Sequence, residues 1–151
     1  MFSKTTEYAL RATIYIAQKG SIDKKLAIGE IAKAIDSPPS FTAKILQQLT
    51  AGNKIISSVR GPNGGFYITE KAKTYPMIKV LEALGDDEVF SKCVLGLNLC
   101  SEVNPCPMHS QYKKIKADLT KLFESKTIGN LAKEITNGES FINNISVKKI
   151  R

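Results

Sequence analysis

Apolar residues recur at helical spacing along most of this chain, and only between residues 55 and 68 does the pattern change to strand formers. Thr5 to Gln18 is expected to be a helix. There Leu10, Ile14 and Ala17 fall at i, i+4 and i+7, Ala9, Ala12 and Ile16 widen the stripe, and Gly20 ends it. Ile28, Ile31, Ala32 and Ile35 predict a second, shorter helix. Asp36-Ser37-Pro38-Pro39 interrupts the pattern, with Ser37 placed to cap the next helix. Phe41, Ile45, Leu46 and Leu49 predict that third helix, ended by Gly52-Asn53. Ile55 to Val59 and Phe66 to Ile68 read as two strands around the turn cluster Arg60-Gly61-Pro62-Asn63-Gly64-Gly65. Helix, tight turn, helix and then hairpin is the pattern of a winged helix-turn-helix. The glycine cluster is not a phosphate loop, because it lacks a Gly-Lys-Ser/Thr ending and opens into no helix.

Met77 to Leu84 predicts a short helix broken by Gly85-Asp86-Asp87-Glu88, and the cysteine segment, with Gly96, Asn98, Asn104, Pro105 and Pro107, an irregular loop. Ser110 to Glu124 predicts a longer helix on which Tyr112, Ile115, Leu119 and Leu122 alternate by three and four, the spacing of a dimer seam. Ile128, Leu131, Ala132 and Ile135 give one more short helix. The expected fold is mainly α with a small β-hairpin. A winged helix-turn-helix region occupies residues 1–75, and the cysteine loop and dimerisation helices occupy 76–136. Residues 137–151 form a polar tail expected to be flexible.

Charge sharpens this picture. The net charge is +8, and residues 1–75 carry 11 Lys/Arg against 5 Asp/Glu, whereas residues 76–151 carry 11 against 9. The excess sits in the winged region, where a polyanion would dock. On a helical wheel the apolar side of the third helix lies opposite Ser40, Ala43, Lys44 and Gln47. Ser40 and Gln47 can bond base edges, Lys44 a guanine or a phosphate, and Ala43 permits close approach or meets a thymine methyl. Arg60, with Asn63 in the same turn, is the candidate groove contact of the wing.

All three cysteines and the only histidine fall within residues 93–109, as Cys93-x6-Cys100-x5-Cys106-x2-His109. Three thiolates and an imidazole complete a four-ligand set for zinc or an iron–sulfur cluster, and spacing alone leaves both open. A regulatory disulfide between two of the cysteines is the alternative. Unpaired, clustered thiols predict a cytoplasmic protein. Met1 to Ala17 carries Glu7 and Arg11 and no small-residue cleavage site, so it is not read as a secretory signal. No apolar run approaches the roughly 18 residues of a membrane span, so no membrane partner is expected. One histidine and no visible base–orienter pair argue against an enzyme.

With wing and cysteines together, roughly residues 1–135 resemble the IscR/NsrR group of Rrf-type winged-helix regulators. The resemblance rests on Thr6-Glu7-Tyr8-Ala9-Leu10-Arg11, on Ser58 to Phe66, and on Cys93-Val94-Leu95-Gly96-Leu97 with Cys100 and Cys106-Pro107-Met108-His109. One departure is the six-residue first cysteine gap, where five is expected for the IscR branch. The resemblance implies a homodimer on a partly palindromic operator in double-stranded DNA, with repression governed by an iron–sulfur cluster of 2Fe–2S or 4Fe–4S type. The signal would be redox state, cluster status or nitric oxide. The fourth ligand is then His109 in one branch and, across the dimer, Glu7 in the other. The alternative is a zinc-stapled or cluster-free winged-helix module that senses through its thiols.

Overall fold

A computed structural model describes residues 1–52 and 55–143 of the chain. The expected tail lies outside the described residues from 144 on. Helix α1 spans Lys4–Lys19, α2 Ile28–Ile35 and α3 Pro39–Thr50. Strands β1, Ser57–Val59, and β2, Gly65–Tyr67, pair antiparallel with Ser58 opposite Phe66. Then come α4 Glu70–Lys73, α5 Ile78–Leu84, a 3-10 turn at Asp87–Phe90, α6 His109–Ser125 and α7 Ile128–Thr136. This is the mainly helical winged helix-turn-helix expected from the pattern. The short α4 is additional, and Thr69 caps it by accepting from the Ala72 amide.

α1 is the spine of the molecule, packing against α2, α3, α5 and α7. Ser3 caps it by accepting from the Thr6 amide, and Glu7 in its first turn suits the helix dipole. Its most deeply buried face is Ala9, Ala12 and Ile16, small enough to let neighbouring helices approach closely. Leu10 and Ile14 are half-buried instead. With Met77, Leu122, Phe123 and Leu131 they line an apolar cleft of about 230 Å³. Ile128 and Ala132 of α7 and Met77 and Val80 near α5 share one hydrophobic cluster with the winged region. Beyond Thr136 the chain runs back over the body, where Asn143 donates to the Ala34 carbonyl at 2.7 Å.

Two local expectations are corrected. Ser37 does not cap α3; Pro38 holds the cap position, and the Ser37 hydroxyl accepts from Thr42 Oγ1 at 3.0 Å. Phe41 is 38% exposed rather than in the core, and Thr42 takes the buried place. The threonine is accommodated because its hydroxyl also reaches the Pro38 carbonyl at 3.0 Å. Phe41 packs edge-on against Tyr8 of α1 at 5.8 Å.

The wing is pinned at its root. Leu26, between α1 and α2, exchanges both backbone hydrogen bonds with Phe66, at 2.8 and 2.9 Å, as a single antiparallel bridge on the edge of β2 opposite β1. Gly65 has φ +146°, and a Cβ there would lie 2.7 Å from the Leu26 carbonyl oxygen. Gly65→Ala is therefore expected to destabilise the protein by about 1–3 kcal/mol. Chemical denaturation checks this, and an unchanged midpoint would show that the wing root yields.

Candidate nucleic-acid interface and metal centre

α3 presents Ser40, Lys44 and Gln47 to solvent, with Ala43 half-buried among them, while Ile45, Leu46 and Leu49 hold its other side in the core. Arg60 and Asn63 are exposed on the wing turn, where Gly64 donates to the Gly61 carbonyl at 2.9 Å. Among the described residues, no carboxylate pairs with Lys44 or Arg60. Both cations are available to a polyanion. A third cation enters the same neighbourhood: the Arg11 guanidinium lies 4.9 Å from the Tyr8 ring centroid, and Tyr8 is the ring against which Phe41 packs. Its signal in the sequence is the i, i+3 spacing from Tyr8.

The cysteine loop is folded inside out relative to an ordinary apolar loop. Val94, Leu95, Leu97 and Leu99 are exposed, whereas Cys93 is buried and Cys100 and Cys106 are half-buried. The loop turns at Gly96, which has φ +75° and donates to the Cys93 carbonyl. That turn aims amides at the Cys93 sulfur. Donation from the Leu97 and then the Leu95 N–H holds the Cys93 thiol below its ordinary range, with smaller help from the Cys106 thiol and the Gly96 N–H, against the opposing effect of burial.

Cys100 belongs to a second pair. Its Sγ lies 3.4 Å from His109 Nδ1. His109 opens α6 and is buried, and among the described residues its Nε2 has no hydrogen-bond partner. The same Cys100 sulfur accepts from Lys116 Nζ at 3.0 Å. The apolar pattern of α6 places Lys116 among its polar residues, yet it is buried. The missed signal is its seven-residue spacing from His109, two helical turns along one face. The four candidate ligands of the loop thus gather as two pairs, Cys93 with Cys106 and Cys100 with His109. Among the described residues, no three Cys, His, Asp or Glu side chains converge as one metal-holding group. Glu7 stands apart, paired with Lys4 Nζ at 3.1 Å and lining a groove with Arg11 and Ile142.

On α6, Ile115 and Leu122 are exposed and Tyr112 and Leu119 half-buried. The only described residues that this helix buries fully are His109 and Lys116. Among the described residues, Ile115 and Leu122 of this seam are left about half open to solvent. No described helix is long and apolar enough to cross a membrane.

Comparison with known proteins agrees with this geometry. A transcriptional regulator of helix-turn-helix type from Aquifex aeolicus is 32% identical over 133 residues, covering 87% of this chain and 90% of that protein. The structure of CymR, the global cysteine regulator of B. subtilis, superposes with a TM-score of 0.69 at 16% identity, covering 88% of this chain and 96% of that one. The structure of T. potens IscR superposes with a TM-score of 0.67 at 16% identity, covering 93% and 91%. The family model described as Rrf2, iron-dependent transcriptional regulator, matches residues 2–134. This chain belongs to the Rrf2 family and is a transcriptional regulator, not an enzyme.

Proposed function

We propose that this regulator is a homodimeric repressor whose affinity for a partly palindromic operator is set by an iron–sulfur cluster on Cys93, Cys100, Cys106 and His109. The observation that carries the proposal is His109 Nε2, a buried nitrogen without a partner among the described residues, next to a loop that turns its thiols inward and its aliphatic side chains outward. An unsatisfied buried polar atom is costly, and a metal is a partner that an imidazole beside a thiol would take. When Nδ1 donates its proton to Cys100, Nε2 carries the bare lone pair that coordination requires.

Three thiols and an imidazole are the donor types such a group takes. Amides aimed at Cys93 favour its sulfur in the thiolate form. Bound there, a cluster would supply one-electron chemistry or lability toward oxidants. The chain's own residues supply the reading of DNA and the coupling to it. The exposed seam on α6, which continues through Leu122 into the apolar cleft, supports a two-fold dimer. Such a dimer would set two copies of α3 about 34–36 Å apart, in successive major grooves.

The test is anaerobic purification with iron, sulfide and zinc analysis and an absorbance spectrum. Brown protein with iron and sulfide in equal amounts is expected, and His109→Ala is expected to lose most of the cluster while Glu7→Ala retains it. If Glu7→Ala alone loses it, the fourth ligand is Glu7. Zinc in colourless protein would replace the proposal with a structural staple. A second reading is favoured by the influence of the neighbouring Cys106 thiol on Cys93: a cluster-free regulator in which these two thiols form a disulfide on oxidation. Metal-free wild-type protein with that disulfide would establish it.

A further inference from the structure

After α7 the chain is led back across α1 by specific contacts. Gly138, at φ +76°, donates to the Ile135 carbonyl, and Glu139 donates to the Glu134 carbonyl. This pair of bonds around a left-handed glycine is a Schellman stop, which turns the chain off the helix. Ile142 is then half-buried against the core, while Phe141 stays 80% exposed. Phe141 to Asn143 line one groove with Glu7 and Arg11 and a second with Tyr15 and Ala34. Asn143 Nδ2 fastens this strap by donating to the Ala34 carbonyl at 2.7 Å. That carbonyl belongs to the last turn of α2, and the residue four positions on is Pro38, which has no N–H to offer it. The strap is therefore anchored at the turn between α2 and α3, six residues from Ser40. A recognition helix meets base edges with its N-terminal residues, so the anchor lies at the end of α3 that approaches DNA.

We infer that the residues following Asn143 are a DNA-binding arm: the strap delivers Lys148, Lys149 and Arg151 to phosphates beside the half-site that α3 reads. The inference rests on α3 and the wing as the DNA-reading surface. Residues 144–151 hold these three cations and no carboxylate. Basic tracts of this kind act as arms on nucleic acid. Lys148 is five residues past the anchor and Arg151 eight, spans of up to about 17 and 27 Å for an extended chain. The major groove is about 12 Å wide, so both reach from the α2–α3 turn to a phosphate on its edge. The surface at the anchor is already basic. Lys33 and Lys44 are exposed and meet no carboxylate among the described residues, and Asp36 is the one acid of residues 35–39. Three further cations brought to that surface suit a polyanion lying against it. Contacts to phosphate add affinity and orientation without sequence preference.

The experiment uses the full chain as wild type, as Asn143→Ala, and as the triple variant Lys148→Gln, Lys149→Gln and Arg151→Gln. Binding to a verified operator and to unrelated duplex DNA of the same length is read by fluorescence anisotropy at several salt concentrations. Circular dichroism and sedimentation report folding and assembly. The triple variant is expected to bind both DNAs at least about tenfold more weakly at low salt and to keep their affinity ratio within about threefold. Its salt slope should fall by about 2.7 per subunit, the value for three lost phosphate contacts. Asn143→Ala keeps every cation and is expected to lose at least about threefold, because an unfastened strap lowers the effective concentration of the arm. A triple variant that matches the wild type on both DNAs overturns the inference, and it overturns this inference alone if Arg60→Ala with Lys44→Ala still weakens operator binding. Tighter binding by the triple variant also overturns it, because the segment would then compete with DNA. So does weaker binding accompanied by lost helix or altered sedimentation, since the role would be structural. An Asn143→Ala protein that binds like the wild type while the triple variant is weak overturns delivery by the strap.

Discussion

Leu119→Asp is expected to convert the protein from dimer to monomer at micromolar concentration and to abolish operator binding at concentrations where the wild type binds. Leu119 is half-buried on α6 between Ile115 and Leu122, which are 54% and 51% exposed. Large aliphatic side chains at this spacing on an otherwise polar helix need a cover, and the described residues leave Ile115 and Leu122 about half exposed. A two-fold contact would bury each change twice, because an isologous interface uses the same patch from both subunits. Even one buried, unpaired carboxylate costs at least about 3 kcal/mol. That is about a hundredfold in dimer affinity, and two copies compound it. Lys114→Asp, on an exposed position away from the seam, is the control and should remain dimeric. Sedimentation velocity distinguishes the outcomes. A Leu119→Asp protein that stays dimeric would remove the seam from the proposal.

The helices were legible in the sequence because their apolar periodicity is strong, and α1 ends at Gly20 as expected. What the pattern could not resolve was which face of an apolar stripe goes deepest. α1 buries Ala9 and Ala12 beneath its larger residues, since close helix packing selects small side chains while leucines reach sideways into the cleft. Thr6, Thr13 and Thr42 are buried as well. A hydrophobicity pattern counts them as polar, but Thr13 satisfies its own hydroxyl on the Ala9 carbonyl at 2.8 Å, and Thr6 donates to Asp86 across the fold. Local hydrogen bonding of this kind leaves no trace in periodicity.

The site was legible as composition and not as geometry. Three cysteines and one histidine in 17 residues announce shared chemistry, yet the arrangement in two pairs depends on the turn at Gly96 and on where α6 begins. Lys116 shows the limit most clearly. Lysine on a helix is read as solvated because its transfer from water is costly, and only the position of the Cys100 sulfur makes the burial intelligible. The Phe2–Phe123 and Phe90–Phe123 ring contacts, at 5.4 and 5.6 Å, likewise join the chain start, the 3-10 turn and α6 through residues far apart in sequence.

Removing Arg60 and Lys44 together is expected to reduce affinity for a verified operator by about 2–6 kcal/mol, the sum of about 1–3 kcal/mol for each if they act independently. The two cations belong to different elements, the wing and α3, and neither is engaged by a carboxylate among the described residues. The backbone at Gly64 and Gly65 packs closely against Val59 and Leu26, where no Cβ fits. An arginine on such a slim turn can enter a minor groove, whereas Lys44 lies on the solvent face of α3, which can meet a major groove. The single variants separate these roles. If Lys44 meets a phosphate, Lys44→Ala weakens operator and unrelated DNA alike and reduces the salt slope by about one. If Arg60 reads groove width, Arg60→Ala weakens the operator more than unrelated DNA and leaves preference at the centre of α3's contacts intact. Fluorescence anisotropy at several salt concentrations measures both. Operator binding that is unchanged in the double variant, with dimerisation and helical content intact, would move the DNA-reading surface away from α3 and the wing.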